Sequence, residues 1–255
     1  MELETIGLLL LAGFFSGAVN TVAGGGSILT LPALMLAGLP PDVANGSNRV
    51  GVLMQTLSAH YDFRRNGVVI EASFPLRQIL VPTIAGAAVG ALSASAIPRH
   101  ALQPILLGAL LLMTFAFAFR PALLEPDEQE VPLTPKEVPR GQLALFAAGV
   151  YGGFLQAGSG FVFLAILSGM LRHPLRTANA AKIGIIGLYS IVSLSIFAMA
   201  GQIDWVLGVV CGLGAVSGSI VGVRFAVHAR PKVLRLVVVA AVMAATGRLM
   251  WKEWF

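Results

Sequence analysis

Long runs of apolar residues, separated by short polar turns, follow one another along the whole chain. Most of them approach the roughly 20 residues that an α-helix needs to span a bilayer core. The short alternating segments typical of a membrane β-barrel are absent from the pattern. The sequence therefore predicts an all-α integral membrane protein. The predicted runs include residues 5–22, 28–38, 43–63, 79–97, 101–119, 143–155, 161–171, 177–195, 203–228 and 232–251.

Glycine-rich breaks interrupt this pattern at two corresponding places. The first run ends at Gly24-Gly25-Gly26-Ser27, and a later run ends at Gln156-Ala157-Gly158-Ser159-Gly160. A run of only eleven residues follows each break (28–38 and 161–171), which is too short to cross a bilayer and suits a half-helix or re-entrant segment. A proline turn, a run with several polar residues, a glycine-striped run and a final run then follow in both halves.

This shared order indicates an internal repeat, each copy having a glycine-broken helix pair plus three spanning helices. Residues 1–119 are the predicted first membrane repeat and residues 141–255 the second. Residues 120–140, with five prolines and five acidic residues, are predicted to form a cytoplasmic linker. Beyond its broken pair, each repeat is expected to cross the membrane three times. Because this number is odd, the two repeats are predicted to have inverted topology. The glycine stripes of residues 86–90 and 214–222 are interpreted as helix packing surfaces.

Composition and charge agree with a membrane protein. Hydrophobic residues make up 56% of the chain and charged residues only 11%, with a mean hydropathy of +0.84. The net charge of +5 comes from basic residues in the connections, a pattern that predicts topology and excludes a nucleic-acid-binding face. Eleven of these residues fall on one predicted side and three on the other, which places both termini outside the cytoplasm. The single cysteine, Cys211, leaves no disulfide framework, and no metal or cofactor site is predicted.

Two basic residues occupy the same position in the two halves. Arg49 lies eight residues after Pro41, and Lys182 lies eight residues after Pro174. A charge deep in a membrane helix is costly and usually faces a cavity or a partner. Because the apolar spans contain no Asp or Glu to balance them, we expect an anionic ligand to supply the opposite charge. The alternatives are snorkelling to the interface and capping of neighbouring carbonyls.

The glycine breaks suggest further ligands for an anion. A half-helix that begins at a break presents free N–H groups and its positive dipole end inside the membrane. The alternative is a tight turn with no ligand. Asn48 and Asn179 are expected to orient the bound ion, or else to cap a helix or join two helices. The candidate substrate-binding residues are therefore Arg49, Lys182, Gly25, Gly26, Ser27, Asn48, Gly158, Ser159, Gly160 and Asn179.

Several of these segments resemble a known family. The motifs are Gly13-x3-Gly17 leading into Ala23-Gly24-Gly25-Gly26-Ser27, then Ala44-Asn45-Gly46-Ser47-Asn48-Arg49, and Tyr151-Gly152-Gly153-Phe154 before Gly158-Ser159-Gly160-Phe161. They resemble the sulfite exporter TauE/SafE family of membrane proteins over nearly the whole chain. The resemblance implies a transporter of the bacterial cytoplasmic membrane, linked to export of small sulfur-containing anions such as sulfite or an organosulfonate.

The sequence thus predicts a secondary transporter that works by alternating access around a positively charged midplane site. An anion channel, or a transporter of another small anion, is the first alternative. A membrane enzyme or assembly partner is a remote one, because no catalytic motif is visible. The expected partners are a small anion and the lipid bilayer, and a homodimer is left open.

Overall fold

The computed structural model describes residues 3–22, 25–67, 70, 74–119 and 131–226, and regular secondary structure in this part of the chain is helical throughout. Gly24, residues 120–130 of the predicted linker and the predicted last run at 232–251 lie outside the described residues. The helices are α1 (Leu3–Val22), α2 (Ser27–Leu36), α3 (Pro41–Arg65), α4 (Leu76–Ala96), α5 (Arg99–Phe119), α6 (Gly141–Phe154), α7 (Ser159–Leu164), α8 (Leu175–Met199) and α9 (Trp205–Ala226).

Four described helices are long and apolar enough to cross a membrane, namely α1, α4, α8 and α9. Helix α3 is equally long but carries a row of buried polar side chains, so its environment is the protein interior. The short helix α2 is buried along almost its whole length, from Ser27 to Met35. Shielded by its neighbours α1, α3 and α5, this half-helix has no need to span the bilayer.

Proline and glycine set the helix boundaries as the sequence predicts. Pro40 and Pro174 precede α3 and α8 with extended backbone, at ψ values of 154° and 137°. Proline is well tolerated at a helix start, because the N–H that it lacks would have no partner within the helix there. The second break turns through left-handed backbone at Gln156 (φ 65°) and Gly158 (φ 74°). The short run after that break differs from the prediction, because α7 gives way to a π-helical turn at Ala165–Met170.

The glycine stripes form two very close helix crossings, which confirms their predicted packing role. In the first, α1 lies against α9, and a Cβ on Gly17 would overlap the Ala215 carbonyl oxygen. In the second, α6 lies against α4, and a Cβ on Gly153 would overlap the Ala87 carbonyl. The first helix of each sequence half thus packs on the glycine-striped helix of the other half.

Helices α3 and α8 lie side by side at the centre of this arrangement. Helix α3 also packs on α9, and α8 packs on α4. Two mixed bundles result, one built on α1, α2, α3 and α9 and the other on α4, α6, α7 and α8. They meet along α3 and α8, and this contact carries the candidate site. The domain boundaries at residues 119, 120–140 and 141 remain predictions.

The close crossing can be tested by two glycine substitutions in α1. Gly17→Ala forces a methyl group into the α9 backbone, and we expect a loss of about 2 kcal/mol in the free energy of unfolding, typical of overpacking. Gly7→Ala meets no atom within 4 Å and is the matched control, with an expected gain of about 0.5 kcal/mol from the better helix former. Thermal unfolding of the detergent-purified variants measures both. Equal melting temperatures would contradict the close contact.

Candidate functional site

Arg49 projects from α3 and is fully buried. Its guanidinium holds the end of α6, donating from Nη1 to the Gly152 carbonyl at 3.2 Å and from Nη2 to the carbonyls of Gly153 and Phe154 at 2.5 and 3.3 Å. The same group lies over the ring of Phe197 on α8, 4.6 Å from its centroid. Arg49 therefore links α3 to both α6 and α8.

Lys182 projects from α8, is equally buried, and holds the end of α1. Its Nζ donates to the Asn20 carbonyl at 3.0 Å and to Asn179 Oδ1 at 2.5 Å. Asn179 in turn donates from Nδ2 to the Thr21 carbonyl at 2.9 Å. On the other side, Asn45 of α3 donates to the Phe154 carbonyl at 2.7 Å. Each basic residue is thus paired with an asparagine, and each pair holds a helix end from the other half.

The reason for these bonds is that α1 and α6 both end inside the protein. The last carbonyls of a helix have no partner in the helix and carry about half a negative charge. Because the bonding side chains are buried away from bulk solvent, a cation that donates to these carbonyls stabilises them. Arg49 and Lys182 therefore do cap neighbouring carbonyls, which was the alternative to anion binding. About half of each positive charge is left unbalanced, and the anion-binding role of the two residues stays a prediction.

The first glycine break places the start of α2 against the end of α1. Gly26 packs on Ser16 and Asn20, and Gly25 lies against the ring of Phe161 from the second break. No side chain caps the helix start at Gly26, although Ser27 is buried with 4% of its surface exposed. The two breaks therefore meet, and a buried helix N-terminus without a side-chain cap lies at their contact.

The second break has backbone hydrogen bonds like those of the first, where the N–H groups of Ile28 and Leu29 donate to the carbonyls of Gly25 and Gly26 at 3.1 and 2.9 Å, and it adds a side-chain contact. The Ser159 hydroxyl lies 2.8 Å from the Tyr189 hydroxyl, and the Ser159 N–H donates to the Gln156 carbonyl at 3.1 Å. The N–H of Phe161 donates to the Gly158 carbonyl at 3.0 Å, and Gly160 is buried beside it. Among the predicted ligands at 158–160, Ser159 thus already has internal partners for its hydroxyl and its N–H.

Asn48, the predicted orienting residue of the first half, accepts a hydrogen bond from the Thr30 hydroxyl of α2 at 2.5 Å. Its Nδ2 is buried and has no partner among the described residues. Asn48 and Asn179 therefore play different parts, because Asn48 joins α3 to α2 and Asn179 joins α8 to α1.

Two further amides, which were not selected from the sequence, lie at the two breaks. Asn20 donates to Gln55 Oε1 at 2.9 Å, and Gln156 donates to Ser190 at 2.6 Å. Their spacing from the preceding glycines could have identified both residues in the sequence. Asn20 lies seven residues after Gly13 and Gln156 lies seven residues after Gly149, so one amide occupies the same position at each break.

The carboxylates nearest the site have other partners. Asp42 at the start of α3 forms an ion pair with Arg99 at 2.8 Å. Asp204 caps α9 by accepting the Leu207 N–H at 2.9 Å, and its own N–H donates to Ser47. Within the described ranges no carboxylate pairs with Arg49 or Lys182, and no cluster of His, Cys, Asp or Glu could hold a metal ion.

Long apolar helices and glycine-tight crossings define a multi-pass helical membrane protein. The chain belongs to the sulfite exporter TauE/SafE family, whose family model matches residues 9–249.

Curated relatives cover almost the whole chain. It is 28% identical over 251 residues to the probable membrane transporter protein ORF9 of a Sinorhizobium species, an alignment that covers 98% of this chain and 94% of the relative. A probable membrane transporter protein of Haemophilus influenzae is 27% identical, with 99% and 98% covered. The probable membrane transporter protein YfcA of Escherichia coli K12 is 28% identical, with 94% and 88% covered. None of the solved structures matches this chain significantly.

The bonds from Arg49 predict a large loss of stability on its removal. Arg49→Met strips the end of α6 of three bonds from a charged donor, each worth about 1.5–3 kcal/mol, and we expect a marked fall in melting temperature. Arg65→Met, an exposed change in the last turn of the same helix, should cost at most about 1 kcal/mol. Thermal unfolding in detergent compares the two. Similar melting temperatures would show that Arg49 does not secure α6.

Proposed function

We propose that this protein is a secondary transporter that exports a small sulfur-containing anion, such as sulfite or an organosulfonate, across the bacterial cytoplasmic membrane. The anion would bind between α3 and α8, with Arg49 and Lys182 supplying charge. Gly25, Gly26 and Ser27 would offer backbone N–H groups on one side, and Gly158, Ser159 and Gly160 would line the other. Asn48 and Asn179 would orient the ion.

One observation carries this proposal: two fully buried cations, one from each half, lack a carboxylate partner among the described residues. The helix ends that they hold balance about half a charge each, and the uncapped start of α2 adds about half a positive charge. The centre is therefore left with an excess of positive charge. Such an excess in an apolar interior is costly, and a small anion would remove most of it.

The substrate class rests on the family. The family's description is that of a sulfite exporter, and the relatives' names give membrane transport without a substrate. Sulfite and a sulfonate group both present several oxygens that accept hydrogen bonds, which suits a site made of N–H donors.

The mixed bundles suggest how alternating access would operate. Rocking one sequence half against the other would separate α1 from α9 and α6 from α4, where glycines bring the backbones into contact. We propose instead that the bundle of α1, α2, α3 and α9 moves against the bundle of α4, α6, α7 and α8. Arg49 and Lys182 cross the dividing surface in opposite directions, so an anion that competes for them would alter the contact between the bundles. Inverted topology of the two repeats is part of this proposal.

Transport by purified protein in liposomes tests the function. We expect saturable sulfite uptake with counterflow on adding unlabelled sulfite, and Lys182→Met should lower uptake about tenfold or more through loss of a charged donor. Lys136→Met, an exposed change in the segment before α6, should leave uptake unchanged. Uptake without counterflow would indicate a channel. Equal rates in the two lysine variants would contradict the assigned site.

Membrane orientation can be tested separately. The excess of basic residues in one set of connections predicts that both termini lie outside the cytoplasm. A reporter fused after Phe255 that is active only in the periplasm should therefore be active. Activity of a reporter that works only in the cytoplasm would reverse the proposed orientation.

A further inference from the structure

Gln55 is a fully buried residue on α3, and only one of the two polar atoms of its side-chain amide has a hydrogen-bond partner among the described residues. Its Oε1 accepts the Nδ2–H of Asn20 at 2.9 Å. Its Nε2 has no partner among the described residues. A buried amide donor without an acceptor is costly, and such groups in native proteins usually have a ligand or an ordered water to explain them.

The surroundings of Gln55 are the first glycine break. Asn20, its hydrogen-bond partner, packs directly against Gly26, the residue that begins α2. The Asn20 carbonyl also receives the Nζ–H of Lys182 at 3.0 Å. Asn20 therefore brings together an unused amide donor, an ammonium group and the uncapped N-terminus of a ten-residue helix. All three favour negative charge.

Asn48, two helical turns earlier on α3, uses its side-chain amide in the same way as Gln55. Its oxygen is also used, by Thr30 of α2, and its Nδ2–H is also buried without a partner among the described residues. Asn48 and Gln55 thus turn their acceptors to the first broken pair and keep a donor unused, whereas Asn45, the third amide of α3, uses its donor on the Phe154 carbonyl.

The second break has the opposite polarity. Gln156, which corresponds to Asn20 in the glycine register, uses its Nε2–H on Ser190 at 2.6 Å. Its buried Oε1, an acceptor that repels an anion, has no partner among the described residues. Near the end of α6, Asn45 Oδ1 and the donor Arg49 Nε are buried without a described partner as well. The two breaks are therefore chemically different despite their similar sequences.

We infer that Gln55 is a substrate-binding residue, and that its Nε2–H together with the N-terminus of α2 holds the oxygens of the transported anion at the first break. The inference rests on the proposed function, since it assumes that an anion binds between α3 and α8. The site selects ligands whose oxygens act only as acceptors, such as a sulfonate, sulfite or another oxyanion. Gln156 has no part in holding them.

Three variants of the full-length protein in detergent test this inference. Gln55→Met keeps the size of the side chain and removes the donor. Gln55→Glu keeps the acceptor for Asn20 and replaces the donor with a second acceptor. Gln156→Met is the matched control at the second break. The probes are sulfite, methanesulfonate, phosphate and acetate, measured by equilibrium binding and by ligand-induced change in melting temperature, with the melting temperature without ligand as the control for folding.

We expect Gln55→Met to weaken binding about tenfold and Gln55→Glu to weaken it about 100-fold, the range for losing one hydrogen bond to a charged group. Gln156→Met should stay within about threefold of wild type, less than one such bond. Because Gln55→Glu still accepts the bond from Asn20, it reports on the donor even if Gln55→Met fails to fold. Binding by both Gln55 variants that stays within threefold of wild type overturns the inference, while sulfite transport by the wild type leaves the proposed function in place.

The other outcomes are also decisive. Binding of phosphate or acetate that depends on Gln55, with no binding of either sulfur compound, supports the inference and overturns the proposed substrate class. A wild-type protein that binds none of the four probes overturns both. An equal loss in Gln156→Met and Gln55→Met would show that the first break has no special role.

Discussion

Helix ends inside an apolar interior are the constraint on which the rest of this structure depends. Helices α1 and α6 stop near the centre, and their last carbonyls would remain unsatisfied without a donor. Lys182 and Arg49 supply the donors, each from the other half of the chain. Each cation stabilises the end of a broken helix, and the end carbonyls of that helix in turn stabilise the buried cation. Each half of the chain therefore relies on a side chain of the other half to satisfy the end of its broken helix.

The glycine crossings follow from the same requirement. Helices without a hydrophobic driving force between them associate through close backbone packing, which only small residues permit. Gly17 and Gly153 bring α1 onto α9 and α6 onto α4, and so fix the two helices whose ends the cations hold. The contacts of Gly17 and Gly153 lie within the mixed bundles, whereas Gly46 of α3 lies equally close to the Gln202 carbonyl that follows α8. The contact between the bundles is made mainly by α3 and α8, where Gly187 lies against Thr56, and the bonds of Arg49 and Lys182 extend it to α6 and α1.

Much of this arrangement could be predicted from the sequence because it depends on local chemistry. Apolar length, proline at helix starts and glycine at breaks identify the described helices to within a few residues, and the match of Arg49 with Lys182 marks the centre. The partners could not be predicted. The bond from Arg49 to the Gly153 carbonyl joins residues more than 100 positions apart, and nothing in the sequence specifies that α1 packs on α9. The π-helical turn at Ala165–Met170 was likewise not predicted, although its segment differs from 28–38 in lacking a proline at the position of Pro32 and in carrying Gly169.

The two halves also differ in how firmly their breaks are held. The planar guanidinium of Arg49 bonds three successive carbonyls, and its Nη atoms are fixed by that fork. Lys182 bonds one carbonyl and one amide oxygen, which leaves one of its three N–H groups unused by these contacts. The end of α6 is therefore the more rigid, and the second break beyond it is closed by Ser159 and Tyr189. The end of α1 is held by fewer bonds and lies beside the unused donors of α3. The end of α6 thus receives more side-chain hydrogen bonds than the end of α1, while the unused amide donors of Asn48 and Gln55 lie on the side of the first break.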